Sequence, residues 1–254
     1  IMERSAADIR LIMSMFIGII IGAFACFGIL YIKSKNKGQL IMPPENVFVS
    51  SSSYIFGIDI SHYQGRIDWD EVRTSHHPIE YVFIRSTMGS NGEDKEFERN
   101  WNGAKKQGYL RGAYHYYRPN EPGKDQFENF KNSVELEKGD LPPVLDVEKQ
   151  SSKGNNYLVG EVKKWLRAAE EYYGIKPIIY TGHTFYKHFL EGKIDGYPLW
   201  IANYNPNSKR KLQKDDWTFH QFTEKVRVKG IKATVDGNDF DGTIEDLDAL
   251  LISD

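Results

Sequence analysis

The chain has 254 residues, enough for one large domain or two small ones, and its 40% hydrophobic and 27% charged content excludes global disorder. Its 33 basic and 35 acidic residues are interspersed to a net charge of -2, so no basic field exists to collect nucleic acid. The single cysteine, Cys26, lies in an apolar run, which excludes a disulfide framework and a thiolate zinc site.

Residues 1–10 read as a short polar tail. From Leu11 to Ile32 the run LIMSMFIGIIIGAFACFGILYI carries no charge over 22 residues, enough for a helix to cross a bilayer of about 30 Å, so residues 11–32 are expected to form a transmembrane anchor. Ala23-Phe24-Ala25 followed by Cys26 has the look of a cleavage or lipidation site. Because Phe27 to Ile32 stay apolar beyond it, an uncleaved anchor is the expectation. Arg4 and Arg10 precede the span while Lys33, Lys35 and Lys37 follow it, and flanking charge therefore leaves the orientation open. Residues 33–53, with KSKNKG, MPPEN and a serine run, lack periodicity and read as a flexible linker.

Residues 54–254 alternate short β-branched runs with longer amphipathic ones, the pattern of βα units around a parallel sheet. Eight strands are expected, at Ile55-Ile60, Tyr81-Ser86, Gly112-Tyr117, Pro143-Val147, Pro177-Tyr180, Leu199-Ala202, Thr218-Phe222 and Val235-Phe240. Helices are expected at Glu93-Gln107, Lys124-Glu137 and Tyr157-Tyr173, ending near Gly108, Gly139 and Gly174, where a left-handed cap costs little. The segment Asn203-Asp216 has poor helical pattern. The expected fold class is therefore α/β, a single irregular TIM-like barrel of five βα units followed by three strands, preceded by the transmembrane helix.

In a parallel barrel the carboxyl ends of the strands form the active face. Those positions are acidic here: Asp59, with Ser61 and Gln64 nearby, then Asp146, Glu148 and Asp236. Strand alternation places Asp146 and Glu148 on one side. Neighbouring like charges raise the proton affinity of one member, and a carboxylic acid kept protonated near neutral pH can donate to a glycosidic oxygen while a second carboxylate supports the transition state. Singly, each acid could equally cap a helix or accept loop N–H groups; as a set they point to chemistry. Aromatic residues occupy the same rim: Tyr63, Trp69, Tyr114, Tyr116, Tyr117, Tyr180, Trp200, Tyr204 and Phe222. Such rings suit the apolar faces of sugars, although core packing is the commoner fate of any one of them. The candidate substrate-binding residues are Tyr63, Gln64, Tyr116, Tyr180, Trp200, Tyr204 and Gln221.

Six segments taken together resemble glycoside hydrolase family 25, the Chalaropsis-type lysozymes: FGIDISHYQGRIDW at Phe56-Trp69, GAYHYYRP at Gly112-Pro119, LPPVLDVE at Leu141-Glu148, IIYTG at Ile178-Gly182, PLWIANY at Pro198-Tyr204 and VDGNDFDG at Val235-Gly242. They fall in order across about 200 residues. The resemblance implies a muramidase that hydrolyses the β-1,4 bond between N-acetylmuramic acid and N-acetylglucosamine of peptidoglycan. It implies Glu148 as the acid that protonates the leaving oxygen, with Asp146, Asp59 and Asp236 completing the cluster, and leaves open which aspartate attacks or orients. Asp239 and Asp241 lie close enough to Asp236 to confuse the register. A muramidase must meet peptidoglycan, so the barrel is expected outside the cytoplasm, at the cell surface or in the periplasm, tethered by residues 11–32.

Two rival readings use the same residues. One keeps the barrel as a catalytically silent glycan-binding module, which the presence of all four acids disfavours. The other is a metal-dependent hydrolase using His62, His115, His183 or His220 beside Asp59 and Asp236, but no His-x-His or HExxH spacing supports it. Glycine-rich phosphate cradles are absent as well. The expectation is thus no metal, no cofactor, no nucleotide and no nucleic acid, with peptidoglycan and the membrane as partners and a monomer by default.

Overall fold

The computed structural model of the chain describes residues 54–205 and 217–253. The tail, anchor and linker expected over residues 1–53, and residues 206–216, lie outside the described residues. Strand β1 (Ile55–Ile60) leads through a short helix α1 (Trp69–Arg73) to β2 (Ile79–Met88), which carries a two-residue antiparallel partner, β3 (Gly92–Glu93). There follow α2 (Phe97–Lys106), β4 (Leu110–Tyr116), α3 (Gly123–Ser133), β5 (Val144–Asp146), α4 (Asn155–Tyr173) and β6 (Ile178–Gly182). A three-residue helix α5 (His183–Phe185) runs into a π-helical turn, Tyr186–Leu190, before β7 (Leu199–Ala202), β8 (Phe219–Val226), β9 (Val235–Phe240) and α6 (Ile244–Asp248). The sheet order is β1-β9-β8-β7-β6-β5-β4-β2-β3, and β1 also pairs with β2, which closes the barrel. All barrel pairings are parallel except the two made by β9, which runs antiparallel to β8 and β1.

Because side chains alternate along each strand, the barrel has two cores. Inside it Tyr81, Phe83, Val144, Ile178, Trp200, Phe219 and Phe240 interdigitate, with Phe83 stacked on Trp200 at 4.4 Å between ring centroids. Outside it Ile58, Val82, Ile84, Leu145 and Ile179 meet the helices, and Trp165 of α4 packs on Phe127 and Phe130 of α3. Space inside is tight enough to dictate glycine. A Cβ on Gly57 would lie 2.3 Å from the Tyr81 ring, and one on Gly112 would lie 2.6 Å from the Phe83 ring. At the end of α4, Gly174 takes the left-handed conformation (φ 69°) and donates its N–H to the Glu170 carbonyl.

The expected fold class needs correction. In place of an irregular barrel of five βα units followed by three strands and preceded by a transmembrane helix, the described residues form a closed eight-stranded barrel with helices of unequal length. Only the crossovers through α2, α3 and α4 contain helices of ten or more residues; α1 has five, and the fifth crossover is α5 with its π turn. β7 also continues the parallel run into β8, so the change of direction comes only at β9. Short loops tie strand ends together without a full amphipathic helix, and periodicity cannot foresee this. No helix among the described residues is long and apolar enough to cross a membrane. Gly139 is not a helix cap either: α3 ends at Ser133, and the Gly139 N–H instead donates to the Ile252 carbonyl.

Candidate active site

The strand register sets the site. Asp59 stands opposite Asp236 across the β1–β9 ladder, Asp146 lies level with Tyr116 and Tyr180, and Gln221 stands opposite Asn238. At one end of the barrel Asp59, Asp236, Asp146, Tyr116, Tyr180 and Gln221 line a cavity of about 210 Å³ together with Tyr63, Gln64, Arg85, Tyr114, Glu148 and Trp200, with Asn238 behind them. The predicted site residues thus converge, with one exception: Tyr204 is outside the lining and reaches it through Gln221.

Two amides frame Asp59. Tyr180 and Tyr204 both donate their hydroxyls to Gln221 Oε1, at 2.8 and 2.6 Å, which fixes the Gln221 nitrogen toward the acids. Trp200 donates its indole N–H to Asn238 Oδ1 at 2.8 Å and orients that amide in the same way. The Gln221 and Asn238 nitrogens then each donate to Asp59 Oδ2 at 2.8 Å, and the Gln221 nitrogen also lies 3.4 Å from Asp236 Oδ2. Tyr180, Trp200, Tyr204 and Gln221 therefore hold the acids in place as well as lining or flanking the cavity. Gln64 has a similar double role. Its side-chain oxygen accepts the Ser61 N–H at 2.8 Å and its nitrogen donates to the Thr234 carbonyl, pinning the turn after β1 to the start of β9.

Proton affinities are raised throughout the acidic cluster. Burial pushes Asp59 upward despite the amide hydrogen bonds that favour its charge. Burial and then the Asp59 charge push Asp236 up to about 8. Asp146, wholly enclosed, is held well above the usual carboxylate range by burial, then by Glu148 and Asp59, and its Oδ1 has no hydrogen-bond partner among the described residues. Glu148 stands open to solvent at the mouth, yet packing about its carboxyl raises its affinity, reinforced by Asp59 and opposed by Lys149. Such a cluster cannot ionise completely near neutral pH, so it holds protons that can be given away.

Other rim candidates turn out to be packing. Trp69 fills the space left by Gly103 and touches Tyr109, Tyr117 is buried in the outer core, and Phe222 packs on Phe56. His115 also points outward, between Thr87 and Gln126, and burial lowers its pKa to about 4. His62 meets Asp94, and His220 meets the Asn203 carbonyl. Among the described residues, no group of three or more His, Cys, Asp or Glu is arranged to hold a metal ion. Arg85 and Asn238 were not foreseen. Arg85 is the charged residue in the apolar run Tyr81-Ser86, and that anomaly was its available signal. Asn238 is hidden in a motif dominated by aspartates, and only strand alternation from Asp236 singles it out.

Comparison with known proteins agrees with this geometry. The family model described as glycosyl hydrolases family 25 matches residues 58–231. The uncharacterized protein YegX of Escherichia coli (strain K12) is 38% identical over 208 residues, covering 80% of this chain and 75% of that one. Lysozyme M1 of Streptomyces globisporus is 29% identical over 216 residues, covering 79% and 72%. The solved structure of a family 25 glycosyl hydrolase from Bacillus anthracis superposes with a TM-score of 0.71 at 30% identity, over 79% of this chain and 95% of that one. The matched segment carries the strands that deliver Asp59, Asp146, Glu148 and Gln221, and the chain belongs to glycosyl hydrolases family 25.

Proposed function

We propose that the muramidase activity of this chain, hydrolysis of the β-1,4 bond between N-acetylmuramic acid and N-acetylglucosamine in peptidoglycan, uses Glu148 as the acid that protonates the leaving oxygen. The observation that carries this reading is the convergence of Asp59, Asp146, Glu148 and Asp236, all with raised proton affinity, in one cleft lined by aromatic rings. Glu148 is the member at the mouth, where a glycosidic oxygen can reach it. Asp59 and Asp236 share a proton, and Asp59, with two amide donors on one oxygen, is the member whose charge supports the oxocarbenium-like transition state. Asp146, held protonated by burial and by the charges of Glu148 and Asp59, lines the cleft as a neutral acid beside them. Tyr63 and Tyr116 offer ring faces to the glycan.

One chain supplies every one of these groups, in keeping with a monomer. The uncharged run at residues 11–32 anchors the protein in the membrane, and the barrel works outside the cytoplasm, where its substrate is. Release of reducing ends from purified peptidoglycan, run beside Glu148→Gln, tests the chemistry. Muropeptides ending in reducing muramic acid from the parent, with the variant nearly dead, support it; equal release by the variant moves the acid elsewhere. For the location, protease added outside intact cells or spheroplasts should digest the barrel. Protection until lysis would overturn it.

A further inference from the structure

One buried carboxylate lies outside the cleft and holds two parts of its wall. Asp94 sits between β3 and α2 with its side chain almost wholly enclosed. Its Oδ2 accepts the His62 backbone N–H at 3.0 Å and the Arg85 Nε–H at 2.9 Å, and lies 2.8 Å from His62 Nδ1. Its Oδ1 accepts the Glu96 N–H at 3.0 Å. His62 Nδ1 is also in contact with Arg85 Nη2, so carboxylate, imidazole and guanidinium form one closed set. Burial alone would raise the Asp94 proton affinity, but the donors from His62, Glu96 and Arg85 outweigh it and hold the group below its ordinary range.

This set faces the substrate side. Arg85 lines the cleft, and its guanidinium lies 5.0 Å from the centroid of the Tyr63 ring, which also packs on His62 at 4.3 Å. Tyr63 itself is 74% exposed on the three-residue turn His62–Gln64. Burial does not hold that ring in place; the side chains packed on it are His62 and Arg85, the two that Asp94 fixes. Removing the Asp94 charge would also leave Arg85 without its carboxylate, free to turn toward Asp146 in the same cleft.

We infer that Asp94 is a positioning residue for glycan binding, acting through Arg85 and His62 to hold the Tyr63 ring as a platform for a sugar at the mouth of the cleft. This deepens the muramidase reading and rests on it for the identity of the ligand. The test is a double-mutant cycle, measured as the Kd of a soluble peptidoglycan tetrasaccharide for the full chain in a Glu148→Gln background, where the ligand survives. Asp94→Asn and Tyr63→Ala should each weaken binding about tenfold, and the pair together should weaken it no more than the worse single variant. A structural role for Asp94 would lower the melting temperature without such coupling.

An unchanged Kd for a folded Asp94→Asn chain overturns the inference, as do additive effects. If Asp94→Asn fails to fold, the same cycle with His62→Ala, which deletes one arm from a half-exposed position, must show the coupling; its absence overturns the inference too. Failure of the parent chain to release reducing ends would overturn the muramidase reading while leaving the binding cycle readable. Absence of any tetrasaccharide binding would sink both.

Discussion

Two sets of buried charge in the barrel are handled in opposite ways. Near the start of β4, Arg111 places its Nε and Nη2 on the two oxygens of Asp140, at 2.7 and 3.3 Å. Asp140 also accepts the Glu137 N–H at 2.8 Å, and the guanidinium lies 4.0 Å from the Trp101 ring centroid. There every charge has a partner. In the cleft Asp59, Asp146, Glu148 and Asp236 face one another, with Arg85 the lone cation of the lining among the described residues and already engaged by Asp94. The paired set closes the structure, whereas the unpaired one costs stability and keeps protons available. Burial of charge alone does not mark a site; burial without neutralisation does.

The largest expected effect breaks the cleft side of this contrast. Glu148→Gln should lower the rate of reducing-end release by about 10²–10⁴-fold while leaving the melting temperature unchanged or higher. Arg111→Met should do the reverse. With Asp140 left buried and unpaired, the fold should lose about 3–5 kcal/mol. At about 2–4 °C per kcal/mol, the melting temperature should drop on the order of 10 °C, read by calorimetry, with kcat of the folded fraction intact. Loss of activity per folded molecule would show that the two clusters are not independent.

A smaller effect sharpens the claim that the cleft is destabilising. Asp236 keeps its proton until about pH 8 in the fold, against an ordinary value of 3.8. Between those limits the folded state binds more protons than the unfolded one, so this group's contribution to stability falls as pH rises and remains reduced above them. Asp236→Asn removes the penalty. It should raise the melting temperature at pH 8 and leave it unchanged below pH 3.8; an equal shift at both would assign the effect to packing instead.

Much of the contrast was legible in the sequence, for a reason that also shows its limit. Inward and outward positions alternate on a strand, so Asp59, Asp146 and Asp236 could be placed at strand ends from their apolar neighbours, whereas the choice of Asp236 over Asp239 needed the register of β9 against β1. Parity says nothing of rings outside the strands: Trp69, on α1, packs against Tyr109, whereas Tyr63, on the turn after β1, stands exposed. Nor can it see a contact such as that between Asp94 and His62, made across 32 residues by the closure of one loop on another. The same limit applied to the crossovers, since a five-residue helix or a π turn carries too few periods to announce itself.

The smallest expected effect probes the edge of the cleft, where protein gives way to water. Lys149 follows Glu148 in the chain, is exposed, and packs its ammonium 5.6 Å from the Tyr116 ring centroid. Its charge favours the ionised form of Glu148 and so opposes the burial that raises that group's proton affinity. A general acid must be protonated to act, and activity should therefore fall as pH rises through the raised Glu148 value. Lys149→Met removes the opposing charge, so Glu148 should hold its proton longer and the alkaline limb of kcat/KM should move to higher pH. Because the charge is exposed, salt should shrink the difference between parent and variant. A shift to lower pH, or none at low ionic strength, would mean that the group titrating on the alkaline side is not Glu148.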